Sequence, residues 1–348
     1  MIYLSKFLSE CSYALLFLIT PLYLSEIGAP SSTIGAIVSL HGVFFFLGSY
    51  LAGRLSDIFR IRKSITIVLL ILSSTFLFCQ GLARNIISFT ILRMIFAFFA
   101  GGFFSIFTAY GYELGVRYGT FLSIGSLGWA IGSFLFGFIK DLTKCFFASA
   151  ILLFSALFFF LPVRDVQPQI KASGLFPRIP RNFLNLFFAF FIRHLGATAV
   201  WVIFAIYLRS KGANDFWISF ITGINPLFQF IIMNFVDRVD SNLSVKLGFI
   251  FSFCGFLLWS ILTHYKFLFF AQIVIAFSWS FLFVGITRYI FERTDERATY
   301  SGITFSTISL SSIAGPLIGG AIYGIFPLSP MIFATMCCLI SILLSRKL

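Results

Sequence analysis

Charged residues are scarce in this chain. Asp, Glu, Lys and Arg together make up 11% of its 348 residues, whereas a soluble domain averages about 25%. Hydrophobic residues reach 59%, and a soluble fold of this size cannot remove so much apolar surface from water, because much of any folded surface faces solvent. The scarcity argues against soluble enzymes, nucleic-acid-binding modules and disordered scaffolds, and it indicates that lipid surrounds most of the protein.

Motifs for cofactors and metals are also missing. The chain has no GxxxxGKS or GxxxxGKT loop for a nucleotide, no CxxC pair, and no His at metal-ligand spacing from a Cys. We therefore expect no cofactor and no metal, and the six cysteines should pack as small hydrophobic residues. No acid and base motif lies within an apolar run, which argues against a membrane-embedded enzyme. Glu113, Asp295 and Glu296 should be solvated loop acids.

Long apolar runs, in contrast, are abundant. A lipid-spanning helix needs about 20 mostly apolar residues, because the hydrocarbon core is about 30 Å thick and each residue rises about 1.5 Å. The runs predict twelve membrane helices. Their expected ranges are 4–24, 33–53, 64–82, 86–111, 118–139, 145–162, 183–208, 214–236, 244–263, 266–287, 299–324 and 330–345.

Polar residues fill the short gaps between these runs, and the longest gap divides the chain into two similar parts. We predict an N-terminal six-helix bundle at 1–163, a linker at 164–182 and a C-terminal six-helix bundle at 183–348. Most of the 25 Lys and Arg residues fall on the side that carries the linker and both termini. These parts should therefore be cytoplasmic in a multi-pass protein of the plasma (cell inner) membrane. The basic residues form no continuous stripe, so no nucleic-acid partner is expected.

An internal repeat relates the two parts. A shift of 183 residues brings Gly119 onto Gly302 and Gly132 onto Gly315, and a shift of 180 places Asp57 on Asp237. The halves are therefore predicted to be parallel six-helix repeats related by a pseudo-two-fold axis along the membrane normal. Such symmetry is typical of alternating access, in which two bundles rock about a central site.

The segment 53–63, GRLSDIFRIRK, resembles the signature loop between helices two and three of the major facilitator superfamily. That pattern runs Gly, any residue, Leu, small, Asp, basic, any residue, Gly, basic, basic. Arg93 with the glycines after it resembles the family's helix-four motif, and GPLIGG at 315–320 resembles its helix-eleven pattern. The signature loop matches at Gly53, Leu55, Ser56, Asp57 and Arg62 and departs at Ile58, Arg60 and Ile61.

The resemblance covers nearly the whole chain and implies an all-α membrane protein, with twelve transmembrane helices in two pseudo-symmetric six-helix bundles. Helices one, four, seven and ten would line the cavity. The carboxylate of Asp57 would act as a conformational latch by capping the positive start of helix eleven near 300–302, and an ordinary solvated acid is the alternative. The predicted latch residues are Gly53, Asp57 and Arg62, with Asp237 and Arg238 as a weaker mirror copy.

Small residues recur at about four-residue spacing in the fifth and eleventh predicted helices. This spacing lets helices pack closely in lipid, and its functional extension is a hinge or sliding seam between the two bundles. A proline in the eleventh helix would loosen it. The predicted seam residues are Gly128, Gly132, Gly137, Gly315, Pro316, Gly319 and Gly320.

Three charged residues lie more than one turn from the ends of predicted helices. Glu10 shares a helix face with Tyr13 and could bind a proton or cation, or could be an acid that reaches towards the membrane surface. Arg93 and Arg193 cannot lose their charge. Two arginines and one acid leave a surplus positive charge, which favours an anionic or electron-rich group of the substrate. Alternatively, Arg93 is structural and bonded to helix carbonyls.

Further cavity candidates are polar or aromatic residues that share helix faces in the C-terminal half. An aromatic residue is weak evidence in a chain with 51 Phe, and a packing role is the common alternative for a buried histidine. The candidates are His194, Trp201, Asn225, Gln229, Gln272 and Trp279, whereas His41 and His264 should be structural or interfacial.

Together these features predict a secondary active transporter of a small molecule that uses alternating access. Protons should drive it through Glu10, and the first hypothesis for its task is efflux of drugs or metabolites. The alternative is uptake or exchange of a small organic anion that binds Arg93 and Arg193. A third hypothesis is a non-transporting receptor or assembly factor on the same fold. The expected partners are the substrate, membrane lipid and protons or another coupling ion, and the protein should be a monomer.

Overall fold

The computed structural model describes residues 1–29, 31–139, 141–166, 174, 177–262 and 264–345, and all regular structure within these ranges is helical. Nine of the nineteen residues of the predicted linker, 164–182, lie outside the described residues. The described α-helices are α1 (Ile2–Glu26), α2 (Ser31–Phe59), α3 (Lys63–Leu82), α4 (Ile86–Glu113), α5 (Tyr118–Phe138), α6 (Leu142–Phe160), α7 (Arg181–Trp201), α8 (Phe204–Ser210), α9 (Asp215–Val236), α10 (Ser241–Ile261), α11 (Leu268–Phe291), α12 (Arg297–Tyr323) and α13 (Ser329–Ser345), and a 3-10 turn (Tyr265–Phe267) precedes α11.

Eight of the described helical segments are long and apolar enough to cross a membrane. Large apolar side chains on them are exposed, such as Ile87 and Ile151, which suits lipid and not water. Two shorter apolar segments, Phe220–Val236 and Ser329–Ser345, accompany them. The eight segments are Ala36–Phe59, Lys63–Leu82, Ile86–Glu113, Leu142–Phe160, Arg181–Trp201, Ser241–Ile261, Tyr265–Phe291 and Arg297–Tyr323.

The seventh predicted helix is interrupted. One helix was expected at 183–208, but α7 ends at Trp201 and α8 begins at Phe204 after a turn. Aromatic packing surrounds the break: the ring of Phe204 lies parallel to that of Trp259 at 4.3 Å between centroids, and Trp201 meets Trp259 edge-on at 5.3 Å. This packing involves a residue more than fifty positions away, so a local apolar pattern cannot register it.

Two expected loops are helical. The signature segment was predicted to follow a helix that ends near residue 53, but α2 continues to Phe59, so Gly53 and Asp57 lie in its last two turns. Glu113 was expected to be a solvated loop acid, but it is the last residue of α4 and is nearly fully buried. Both helices can carry these acids because Arg62 compensates their charge, as described below.

Within the described ranges, α4, α6, α9 and α10 each begin at a side-chain cap that the sequence supplies. The side-chain oxygens of Asn85, Asp141, Asn214 and Asp240 accept hydrogen bonds from backbone N–H groups three residues later, at the starts of α4, α6, α9 and α10. Asn and Asp are favoured there because the first N–H groups of a helix have no partner within it. The hydrogen bond to the Leu243 N–H holds the pKa of the Asp240 carboxyl below its usual value.

The described chain divides into two compact units. Unit 1 contains Met1–Pro177 and Thr294–Ser306, and unit 2 contains Arg178–Arg293 and Thr307–Leu348. In unit 1, α1 packs on α5 and α6, α2 on α4, and α3 on α4 and α6. In unit 2, α10 packs on α11 and α13, α7 on α13, and α9 on α11. The first residues of α12 therefore group with unit 1, whereas the sequence boundaries place them in the C-terminal half.

Predicted seam glycines permit close approach of helices within a unit. A Cβ atom at Gly128 or Gly132 of α5 would overlap the carbonyl oxygen of Phe7 or Cys11 in α1. In unit 2, a Cβ at Gly319 would likewise overlap the Ala199 carbonyl oxygen. These contacts join helices of the same unit, so they support the packing role and not the extension to a seam between bundles.

The remaining seam residues differ from one another. A Cβ at Gly315 would overlap the Thr198 side chain in α7, whereas one at Gly320 would meet no described atom within 4 Å. The packing role predicted for Gly320 therefore has no counterpart in the described residues. Pro316 lies inside α12, which continues through it, and Gly137 lies in the last turn of α5.

Candidate functional site

A buried charge cluster lies where α2 ends. The Arg62 guanidinium donates to Asp57 Oδ1 at 2.6 Å, to both carboxylate oxygens of Glu113 at 2.9 Å and to Ser56 Oγ at 2.8 Å. The side chains of Arg62 and Asp57 are fully buried. Burial works against the charge of Arg62, but its hydrogen bonds with Glu113 and the charges of both acids outweigh burial and raise the pKa of Arg62.

The second oxygen of Asp57 contacts the start of α12. Asp57 Oδ2 accepts from the Thr299 backbone N–H at 2.6 Å and from the Thr299 hydroxyl at 2.5 Å. The sequence indicated this helix start, although at 300–302. The backbones are close here as well, because a Cβ at Gly53 would overlap the Ala298 carbonyl oxygen and one at Gly302 would overlap that of Ser49. All of these residues belong to unit 1.

Arg54 adds a second charged contact to the same helix start, which sequence reasoning missed. Its Nη1 donates to Glu296 at 2.6 Å and to the Thr299 hydroxyl at 3.4 Å, and its Nε donates to the Gly174 carbonyl at 3.0 Å. Arg54 occupies a position that the family pattern leaves open, so no motif signal marked it. Glu296 is thus an ion-pair partner and not a free solvated acid; Asp295 lies 3.8 Å from Arg297.

The predicted mirror copy in unit 2 is built differently. Arg238 lies over the Phe235 ring at 5.4 Å, and Asp237 directly follows α9, with its backbone carbonyl accepting from Arg288 at 3.3 Å. Arg288 also donates to two neighbouring carbonyls of the same loop and pairs with Glu292 at 3.2 Å. A basic residue therefore holds this loop by its backbone, and Arg288 and Glu292 are the charged residues that the sequence reasoning missed.

Glu10 has a basic partner on its own helix. Lys6 Nζ lies 2.5 Å from Glu10 Oε1, and the two side chains are 3% and 17% exposed. The ammonium group also lies over the rings of Phe104 and Phe121 at 5.8 and 5.4 Å. Spacing of four residues on a helix is the signal that could have indicated this pair.

Tyr13, on the next turn of α1, contacts α2. Its hydroxyl lies 3.0 Å from His41 Nε2, and both side chains are half-buried. Tyr13 also packs against the rings of Phe45, Phe104 and Trp129, with centroids 5.1–6.1 Å apart. His41, which the sequence assigned a structural role, therefore lies beside a predicted site residue.

Arg93 of α4 is 5% exposed, and its Nε and Nη1 atoms are buried without a hydrogen-bond partner. Its guanidinium carbon lies 5.5 Å from the centroid of the Phe96 ring. Among the described residues, no carboxylate lies within ion-pair distance of it, and no helix carbonyl accepts from the two buried atoms. The structural alternative for Arg93, bonding to helix carbonyls, therefore fails for these two N–H groups.

Arg193 of α7 is 2% exposed but well partnered. Its Nε donates to Ser252 Oγ and its Nη2 to Ser278 Oγ, both at 2.8 Å, and Nη1 lies 3.4 Å from His194 Nδ1. The rings of Phe256 and Trp279 each lie 5.8 Å from the guanidinium carbon. Neutral hydroxyls, an imidazole and two aromatic faces thus surround this charge.

Three predicted cavity residues form one hydrogen-bonded chain in unit 2. Asn225 donates to Gln272 Oε1 at 2.9 Å, and the Gln229 amide donates to Asn225 Oδ1. Asn225 and Gln229 lie one turn apart on α9, and Gln272 lies on α11. Gln272 is fully buried, and its Nε2 has no hydrogen-bond partner.

The predicted aromatic candidates separate into two places. Trp279 packs against His194 at 5.4 Å and so belongs with Arg193, whereas Trp201 is 37% exposed and packs on Trp259.

Within the described ranges, no group of three His, Cys, Asp or Glu side chains is arranged to hold a metal ion. The six cysteines are unpaired, and four of them are buried.

Comparisons relate this chain to known proteins. The sequence model of the Major Facilitator Superfamily matches residues 2–185. No curated protein matches the chain. Two solved structures are similar: the human organic anion transporter MFSD10 (TETRAN), with a TM-score of 0.83 and 17% identity, and FucP, a Major Facilitator Superfamily transporter in the outward conformation, with 0.76 and 11%. Each alignment covers 99% of this chain and 97% of the other, and shows a shared fold.

Proposed function

Because the chain belongs to the Major Facilitator Superfamily, we propose that it moves a small organic anion across the membrane, by uptake or exchange, as a secondary active transporter. The family consists of transporters of small molecules and not of enzymes, and the chain is a multi-pass membrane protein. The anionic substrate is the finer part of the proposal. It depends on one observation, the buried Arg93 guanidinium with two N–H groups that lack a partner.

A buried guanidinium without hydrogen-bond partners destabilises the folded state. Moving a charged group from water into a protein interior costs roughly several kcal/mol, even after the surrounding groups have relaxed. Lys or His could lose the proton instead, but Arg cannot. An anionic ligand at Arg93 would recover part of this free energy, since hydrogen bonds with a charged group contribute about 1.5–3 kcal/mol. The uncompensated charge therefore supports a site for an anion.

Two further observations support this choice. Lys6 neutralises Glu10, so the acid does not cancel the positive charges at Arg93 and Arg193. The solved structure of the human organic anion transporter MFSD10 has the same fold. The proposal depends on Arg93 more than on Arg193, because three of the Arg193 nitrogens already have neighbouring groups within unit 2.

Proton-coupled efflux of drugs or metabolites through Glu10 is the second hypothesis. Its support is the position of a carboxylate within α1, beside Tyr13. Protonation of Glu10 would leave the buried Lys6 ammonium without its partner, and this would cost free energy. Proton coupling at this site would therefore involve the Lys6–Glu10 pair as a unit, and we place it second.

Alternating access would use the contact between Asp57 and the start of α12 as a latch. A carboxylate at a helix start contributes about 1 kcal/mol, enough to shift two near-equal states about fivefold. We expect Asp57→Asn to change the transport rate by at least about this factor, because it also removes the buried ion pair with Arg62, whereas Asp237→Asn should change it little. Equal effects of the two substitutions on transport in proteoliposomes would contradict a latch at Asp57.

We further infer a plasma (cell inner) membrane location with both termini cytoplasmic, which the placement of Lys and Arg supports. One chain carries both six-helix halves, so a monomer suffices for one transport route. A receptor or assembly factor on the same fold would show binding without flux.

The test uses the purified full-length chain in proteoliposomes. Uptake of a radiolabelled aryl carboxylate such as benzoate is measured beside its neutral amide and a cationic amine of the same size. We expect saturable, protein-dependent flux of the carboxylate, with acceleration by unlabelled carboxylate inside the vesicles if the mode is exchange. A proton gradient, applied in a separate arm with wild type and Glu10→Gln, tests coupling. Flux of the amine or amide without flux of any carboxylate would overturn the proposal.

A further inference from the structure

His41 has one ring nitrogen in use and one buried without a partner. Nε2 lies 3.0 Å from the Tyr13 hydroxyl, which fixes the plane and direction of the imidazole. Nδ1 is buried without a hydrogen-bond partner of ordinary geometry, although the Arg93 backbone lies close enough to the imidazole to interact with it. A buried polar atom left in this way costs free energy unless something absent from the free protein satisfies it.

This nitrogen belongs to the surroundings of Arg93. The His41 ring stacks on the Phe96 ring with 6.3 Å between centroids and 18° between planes, and the Arg93 guanidinium carbon lies 5.5 Å from the same ring. Two different helices, α2 and α4, thus bring two incompletely hydrogen-bonded polar groups to one aromatic side chain. All of these residues lie in unit 1.

The chemistry of the two groups is the same. When the Tyr13 hydroxyl donates to Nε2, a neutral imidazole carries its hydrogen on Nδ1, and a protonated imidazole carries one there too. Nδ1 is then a donor, and the unpartnered Arg93 atoms are donors as well. A ligand that satisfies both must offer two acceptor atoms and negative charge, as a carboxylate does.

We propose that His41 is a second binding residue for the anion, with its Nδ1–H donating to one carboxylate oxygen while Arg93 binds the other, and that Tyr13 orients the imidazole. This inference rests on the proposed function and narrows its substrate class. One uncompensated guanidinium matches one negative charge. The rings of Tyr13, Phe45 and Phe104 lie beside the imidazole or next to one another. The charge match therefore narrows the substrate class to a small monocarboxylate, for which benzoate is the probe.

Two substitutions separate the nitrogens of His41. An Asn side chain at 41 places an amide N–H near the position of Nδ1, whereas a Gln side chain places one near Nε2. Binding of benzoate to the detergent-purified full chain is measured by calorimetry. We expect His41→Asn to bind within about threefold of wild type and His41→Gln to bind at least about tenfold more weakly. Tyr13→Phe should weaken binding about threefold, because the imidazole loses its orienting partner.

The outcomes distinguish this inference from the proposed function. If wild type binds neither benzoate nor any other carboxylate, the proposed function fails. If wild type binds benzoate and His41→Gln binds equally well, or if His41→Asn loses binding while His41→Gln keeps it, only the role of His41 Nδ1 fails. Melting of each ligand-free variant checks its folding. Should His41→Gln not fold, unchanged binding by Tyr13→Phe would overturn the inference instead.

Discussion

Arg93 and Arg193 are both buried arginines in membrane helices, and the structure treats them differently. Around Arg193, two serine hydroxyls accept hydrogen bonds at 2.8 Å and two aromatic rings flank the charge. Around Arg93, two nitrogens are buried without partners. A buried charge therefore does not identify a binding site by itself. The number of its donors that lack a hydrogen-bond partner indicates whether a ligand can bind there.

The difference predicts opposite roles. Arg193 joins α7 to α10 and α11 through Ser252 and Ser278, so it should stabilise unit 2. Arg93 contacts the Phe96 ring, but two of its nitrogens have no hydrogen-bond partner among the described residues, so we expect it to contribute mainly to binding. The following predictions test this contrast, beginning with the largest expected effect.

Anion affinity should separate the two arginines most strongly. We expect Arg93→Met to weaken benzoate binding about 100-fold, because hydrogen bonds to a charged donor worth about 1.5–3 kcal/mol are lost and 1.4 kcal/mol is tenfold. Arg193→Met should bind within about threefold of wild type, since Arg193 already uses its donors internally. Calorimetry on both proteins measures the split. Equal losses in both variants would remove the contrast.

Stability of the ligand-free protein should show the reverse order. We expect Arg193→Met to lower the free energy of unfolding by about 2 kcal/mol, because its hydrogen bonds to two hydroxyls are lost. Arg93→Met should leave it unchanged or raise it, because replacing an unpaired buried charge by an apolar side chain is often stabilising. Denaturant titration followed by tryptophan fluorescence measures both values. A greater loss in Arg93→Met would contradict our assignment.

A single partner of Arg193 should matter less than the arginine itself. We expect Ser252→Ala to lower the free energy of unfolding by about 1 kcal/mol, since one acceptor of the guanidinium disappears. Ser260→Ala, on the same helix, is the matched control, because the partners of Ser260 among the described residues are its own helix and Thr335. Identical values for the two serine variants would mean that Arg193 does not depend on its acceptors.

The last prediction concerns the backbone conformation of Arg60, where a substitution should have the smallest effect on stability. It stands where the family pattern has glycine, and it adopts a positive φ of 59°. That conformation costs a residue with a Cβ about 1–2 kcal/mol, part of which glycine returns as chain entropy. Arg60→Gly should therefore raise the free energy of unfolding by about 0.5 kcal/mol, and Arg60→Ala, which also removes the charge, should not.

Much of the fold could be predicted from the sequence. The all-α membrane class and the family are confirmed, and most predicted helices end within a few residues of the observed ones, because apolar runs report burial in lipid directly. The interruption at 202–203 could not be predicted, since the packing of Phe204 on Trp259 joins distant parts of the chain. The length of α2 was underestimated because a charged residue such as Asp57 indicates a loop in the sequence, and the buried ion pair that it forms with Arg62 is seen only in the structure.

The candidate site was less accessible to sequence reasoning. Arg93 stands out in any apolar run, and the Lys6–Glu10 spacing of four residues was available as a signal. His41 carried no such signal, because its contacts come from Tyr13 on another helix and Phe96 on a third. Whether the donors of Arg93 have partners depends on the groups that surround them in the folded chain, and a sequence pattern does not contain that information.

The two oxygens of the Asp57 carboxylate bind different groups, and this has a consequence for repeated transport cycles. One oxygen is committed to Arg62, which also holds Glu113, and only the other oxygen binds Thr299. In the proposed latch, departure of the helix start would break the pair between Arg54 and Glu296 but would leave the ion pairs of Arg62 with Asp57 and Glu113 intact. The acceptor would keep its position and charge for the next encounter, so the contact can dissociate and re-form over many cycles without local unfolding.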